Sequence, residues 1–129
     1  MWALDSDAVS HAMRGEGEVA LRLREVGLGE VALPALVVYE VSFGLRRVGR
    51  RAQLDAFAAW VKAIRVLDFD MQAADHAARI RVELESAGTP IGKHDLLIAA
   101  TARRHACTLV THNTREFSRV SGLTLDDWY

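Results

Sequence analysis

Cysteine, lysine and proline are scarce in this sequence, and each scarcity excludes something. A single cysteine, Cys107, cannot form a disulfide within the chain, which fits a reducing, cytoplasmic setting. Lysine occurs only at Lys62 and Lys93, so the basic side is almost wholly arginine. Two prolines and nine glycines are too few for a long linker or a disordered tail. No apolar run approaches the ~20 residues needed to span a bilayer, so no membrane partner is expected. The N-terminus carries Asp5 and Asp7 and lacks a basic segment followed by an apolar core, so it does not read as a signal peptide. An excess of one charge is missing too. With 16 basic and 17 acidic residues the net charge is −1, so any grip on nucleic acid must come from local patches. There is no internal repeat and no glycine-rich phosphate loop.

What is present is core material. Half of the 129 residues are hydrophobic, enough for a single compact domain over residues 1–129. Trp2 to Leu4 reads as a short strand, ended by Asp5-Ser6-Asp7, which can cap a helix through Met13. A helix over Glu18–Val26 follows, then a strand at Val31–Leu33, with Pro34 suited to the first position of the next helix. That helix runs through Glu40 to about Val48, and another covers Ala52–Lys62 with Leu54, Phe57 and Trp60 among its apolar residues. These three can serve the core or an interface with a second copy or a partner helix. Ile64–Leu67 alternates like a strand. Asp70 heads the most regular helix, with Ala73, Ala77, Ile80 and Leu84 at helical spacing. Gly88 and Pro90 stop it, a helix from Lys93 to about His105 follows, and Thr108–Thr111 is the last clear strand. Leu123–Leu125 can add an edge strand. Strands alternating with helices predict an α/β fold of three layers, α/β/α, around a parallel sheet of four to five strands. Ligands in such sheets bind beyond the carboxyl ends of the strands.

Three acids stand out against apolar surroundings. Asp5 follows the first strand. Glu40 is the only charged residue between Glu30 and Arg46, and Asp95 heads the run Leu96-Leu97-Ile98-Ala99-Ala100. Each has a plain alternative: a helix cap for Asp5, a first-turn acid for Asp95, a salt bridge for Glu40. Together they suit a hard divalent cation with oxygen ligands, which would relieve their mutual repulsion. Asn113, just past the last clear strand, offers either a neutral carbonyl ligand or a turn residue. Asp7 reads as a helix-start residue beside the site, and Asp126 and Asp127 read as solvated. His94 and His112 flank site residues, and Cys107 has no plausible base and belongs to the core. Arg46, Arg47, Arg50 and Arg51 on one side, with Arg115 and Arg119 near Asn113, can hold phosphates or form solvated basic faces. Arg47 lies seven residues beyond Glu40, about two turns and ~10 Å along the same helix face.

Leu4-Asp5-Ser6-Asp7, Glu40 in its helix, Pro90 through Ala100 and Leu109 through Phe117 together resemble the PIN-domain ribonucleases, and among them the VapC toxins of bacterial toxin–antitoxin pairs. The resemblance spans the chain and implies a PIN-like sheet and a Mg2+- or Mn2+-dependent endoribonuclease. It also implies a homodimer held in check by a cognate antitoxin. It places Asp5, Glu40 and Asp95 as metal ligands and catalytic residues, with Asn113 where many members carry a fourth acid. Asp7 stands where the family usually has Asn, and His112 replaces a frequent Asn. Arg47 and Arg115 are the expected RNA contacts. A catalytically silent PIN-like module that binds RNA or a partner is the alternative. A phosphoacceptor receiver domain is disfavoured, because no lysine follows Lys93.

Overall fold

The computed structural model describes residues 1–129. Its elements run β1 (Trp2–Leu4), α1 (Ser6–Arg14), α2 (Gly17–Val26), a single 3-10 turn (Leu28–Glu30), β2 (Val31–Pro34) and α3 (Ala35–Arg47). They continue with α4 (Arg51–Ala63), β3 (Arg65–Leu67), α5 (Met71–Ser86), α6 (Lys93–Arg104), β4 (Thr108–Val110), α7 (Thr114–Phe117) and β5 (Leu125–Asp126). The five strands form one sheet in the order β3-β2-β1-β4-β5, and every pairing is parallel. This matches the expected α/β/α architecture.

The strands are short and apolar because both faces of the sheet are covered. Ala3, Leu4, Val31, Ala32, Leu33, Leu109 and Val110 have no measurable exposure. Helices α5 and α6 pack closely, and Ala77 and Ile80 on one and Ile98, Ala99 and Ala102 on the other all belong to the buried core. Small residues on that face let two helices approach without leaving voids.

The register places the site. Leu4 pairs with Val110, and Pro34 with Leu67, so the carboxyl ends of β1, β2 and β4 share one edge. The chain leaves β1 there through the Asp5 amide, which donates to the Val110 carbonyl at 3.1 Å.

Two expectations shift. Pro34 closes β2 instead of opening α3, because its extended backbone (ψ 139°) continues the strand into the pairing with Leu67. The edge strand lies at Leu125–Asp126, slightly later than its hydrophobic pattern suggested. Asp126 sets that position and is not merely solvated. Its carboxylate accepts the indole N–H groups of Trp2 at 3.2 Å and Trp128 at 3.1 Å, and the two indoles meet edge-on at 5.8 Å.

Candidate active site

Asp5 is held by the ends of two elements. As the N-cap of α1 it accepts the Ala8 amide at 2.9 Å, and it also takes a hydrogen bond from Thr111 just past β4. Only 9% of the residue is exposed. Burial above all, then the charges of Asp7 and Glu40, raises its carboxyl above the ordinary range against the pull of those hydrogen bonds. The capping role expected of Asp5 is therefore present, and it uses one oxygen.

Glu40 reaches the site from the middle of α3. It accepts the Ser6 hydroxyl at 2.6 Å on one oxygen and meets His94 Nδ1 at 3.1 Å on the other. No arginine salt bridge holds it. The arginine ion pairs lie elsewhere, on Glu25, Asp55, Asp70, Asp75 and Glu85. Asp95 stands in the first turn of α6, whose backbone amides favour negative charge. Burial nevertheless raises its carboxyl, with Glu116, Glu40, Asp5 and Asp7 adding to the effect in that order.

Glu116 is the acid that sequence reasoning missed. It lies in the single turn of α7 and is the foremost charge acting on Asp95. Asn113 donates its side-chain amide to Glu116 at 3.2 Å, while its backbone amide donates to the Thr111 hydroxyl at 3.0 Å. Asn113 thus tethers a neighbouring acid. The spacing Asn113-x-x-Glu116 at the start of a helical turn was the available signal. Arg47 and Arg115 are both exposed and lie at the C-terminal end of α3 and in α7. The Arg47 guanidinium sits 5.6 Å from the centre of the Phe43 ring. Arg119 donates to the Pro90 carbonyl at 3.1 Å, linking the segment after α7 to the turn before α6.

At the carboxyl edge of the sheet Asp5 thus feels the charges of Asp7 and Glu40, Asp95 feels those of Glu116, Glu40, Asp5 and Asp7, and no arginine or lysine forms an ion pair with any of the five. No three of these side chains converge into a finished metal cage. Their donor chemistry still fits a hard divalent ion: all-oxygen, anionic and uncompensated. Asp5 is held by Ala8 and Thr111 and Glu40 by Ser6 and His94, while the Asp95 carboxylate accepts no hydrogen bond.

The PIN-domain family model matches residues 3–123. The chain belongs to the PIN-domain family. It is 38% identical to the tRNA(fMet)-specific endonuclease VapC of Shigella flexneri over 101 residues, 78% of this chain and 76% of that one. The tRNA(fMet)-specific endonuclease VapC of Salmonella typhimurium is 29% identical, with 97% of this chain and 96% of that one covered. The crystal structure of DNA-bound VapBC from Salmonella typhimurium superposes with a TM-score of 0.90 at 28% identity, covering 99% of this chain and 98% of that one. These likenesses group this PIN domain with the VapC ribonucleases.

Proposed function

We propose that this PIN domain is a divalent-metal-dependent endoribonuclease and the toxin half of a toxin–antitoxin pair. One observation carries the reading: Asp5 and Asp95 sit partly buried at the strand ends under the charges of neighbouring acids, Glu40 and Glu116 among them, and no arginine or lysine pairs with any of the four. Asp5 and Asp95 would hold Mg2+ or Mn2+, with Glu40 as the third carboxylate and Asn113 at the site through Glu116. When bound, the ion supplies an activated water and neutralises charge developing on the phosphate.

The protein's own part is to hold these groups still. Ala8 and Thr111 fix Asp5, and Ser6 and His94 fix the Glu40 carboxylate. Asn113 keeps Glu116 at the rim. Arg47 and Arg115 lie outside this anionic centre, where they can take phosphates flanking the cut. Because two relatives are named for tRNA(fMet), initiator tRNA is the first RNA to try. The Salmonella neighbour is a VapBC complex, which supports a cognate antitoxin as the partner of this chain. We also assign it a homodimeric state and a cytoplasmic location. No helix is long and apolar enough to cross a membrane.

The test is cleavage of initiator tRNA and of an unstructured RNA with Mg2+, Mn2+ or EDTA. Metal-dependent cuts, lost in EDTA and in Asp95→Asn, are expected. Tight RNA binding without cleavage under any metal would overturn the enzyme in favour of the silent binding module.

A further inference from the structure

Four side chains beside the acidic centre form a cluster that the metal chemistry does not use. The Tyr129 ring meets two imidazoles, its centre 4.7 Å from that of His11 on α1 and 4.7 Å from that of His112 just past β4. Asp127 ties the group together. Its carboxylate meets His112 Nδ1 at 3.1 Å and accepts the Tyr129 backbone amide at 3.0 Å. His11 Nδ1 faces the Asp7 carbonyl at 2.9 Å. A carbonyl and a carboxylate only accept, so both imidazoles carry a hydrogen on Nδ1 and donate it. Each imidazole is thus oriented by its own hydrogen bond, and Tyr129 joins the two. The Tyr129 hydroxyl makes no hydrogen bond, so the ring itself carries the contact.

The place of these contacts gives them their weight. Asp5 is held from two sides, by the Ala8 amide of α1 and by the Thr111 hydroxyl at the end of β4. Tyr129 touches both sides, since His11 stands about one turn beyond Ala8 and His112 follows Thr111. The Thr111 hydroxyl has one hydrogen, which goes to Asp5, while its oxygen accepts the Asn113 amide at 3.0 Å. The turn through His112 therefore aims that hydroxyl. The main chain of His112 makes no hydrogen bond, so its side chain is what steadies the turn. The acids are close by: burial and the charges of Asp5, Asp7 and Asp127 all push the Tyr129 phenol above its ordinary range.

We propose that Tyr129 is a positioning residue of the nuclease site. By clasping His11 and His112 it fixes the α1 and β4 supports of Asp5 relative to each other, and through them the grip of the site on its metal. It acts through Thr111 and has no part on the phosphate. The consequence for the metal deepens the metal-dependent reading and rests on it.

The test follows hydrogen exchange at single amides by NMR in EDTA, and Mn2+ binding by titration calorimetry, in the native chain, Tyr129→Ala and Tyr129→Phe. Losing two aromatic contacts should speed exchange at the Asn113 amide about 5- to 150-fold in Tyr129→Ala, with the amides of α4 unmoved. Mn2+ should bind that variant about 10-fold more weakly. Tyr129→Phe keeps the ring and should return both to native values. Thermal unfolding checks that each variant folds. Exchange that rises equally across α4, or does not rise at Asn113, overturns the clasp. So does an unchanged Mn2+ affinity in Tyr129→Ala when the native chain binds the ion. A Tyr129→Phe variant that behaves like Tyr129→Ala overturns it too, because the hydroxyl is then the working group. A native chain that takes up no Mn2+ defeats the metal reading instead, and the exchange rates alone then decide whether the clasp stands.

Discussion

Replacing Asp5 by Asn separates the two roles this residue holds. Asn is as good an N-cap as Asp, so the hydrogen bond from the Ala8 amide, 2.9 Å long, should survive. What disappears is a buried charge that Asp7 and Glu40 repel. In EDTA at neutral pH the variant should therefore melt above the native chain. Adding Mn2+ should reverse the order. An ion at roughly 100 times its Kd stabilises the form that binds it by about 2.7 kcal/mol. At about 2.1 cal/mol/K per residue, a 129-residue domain gains about 10 °C from that. The native chain should show a rise of that order, and Asp5→Asn should show little of it. Cleavage by the variant should fall more than about 100-fold, beyond the loss seen when only an outer partner of a ligand is removed. Differential scanning calorimetry with and without Mn2+ measures both effects. A lower metal-free melting temperature in Asp5→Asn, or a Mn2+ shift equal to the native one, would refute the reasoning.

Further predictions concern the supports of the site and the frame around it. Ser6→Ala removes the 2.6 Å hydrogen bond to Glu40 and should weaken Mn2+ binding, measured by titration calorimetry, about 10-fold, with Ser6→Thr restoring it. Asp5 and Asp95 have folded pKa values above their unfolded ones, so their contribution is present in acid and is lost as pH rises through the raised values. In EDTA, urea midpoints of Asp95→Asn should therefore fall less than native ones between pH 4 and neutrality, measured relative to each protein's acid value. Phe117, 1% exposed beneath the single turn of α7, should cost about 3–5 kcal/mol when cut to Ala, read from urea denaturation. Ala106 holds a left-handed backbone (φ 55°) just after α6, so Ala106→Gly should raise stability by up to about 1 kcal/mol.

The sheet, the helix order and the three lone acids were legible because each rests on local pattern. Continuous apolar strands announce burial on both faces, and a single charge within such a run, as at Glu40, draws notice. Glu116 escaped because it sits among polar residues in a one-turn helix, where an acid is unremarkable. The partners of Glu40 escaped for another reason: Ser6 is 34 residues away and His94 is 54, and only the sheet order brings them together. Asp126 looked solvated because its two indole donors lie at opposite ends of the chain.

The strand earliest in this sequence is also the one in the middle of the sheet. β1 is flanked by β2, about thirty residues later, and by β4, more than a hundred residues later, where Val110 receives the Asp5 amide. A nascent chain on the ribosome therefore carries Asp5 for most of its synthesis without the neighbour that completes its surroundings. The carboxylate edge of the sheet is therefore completed only when the segment through Val110 has joined it.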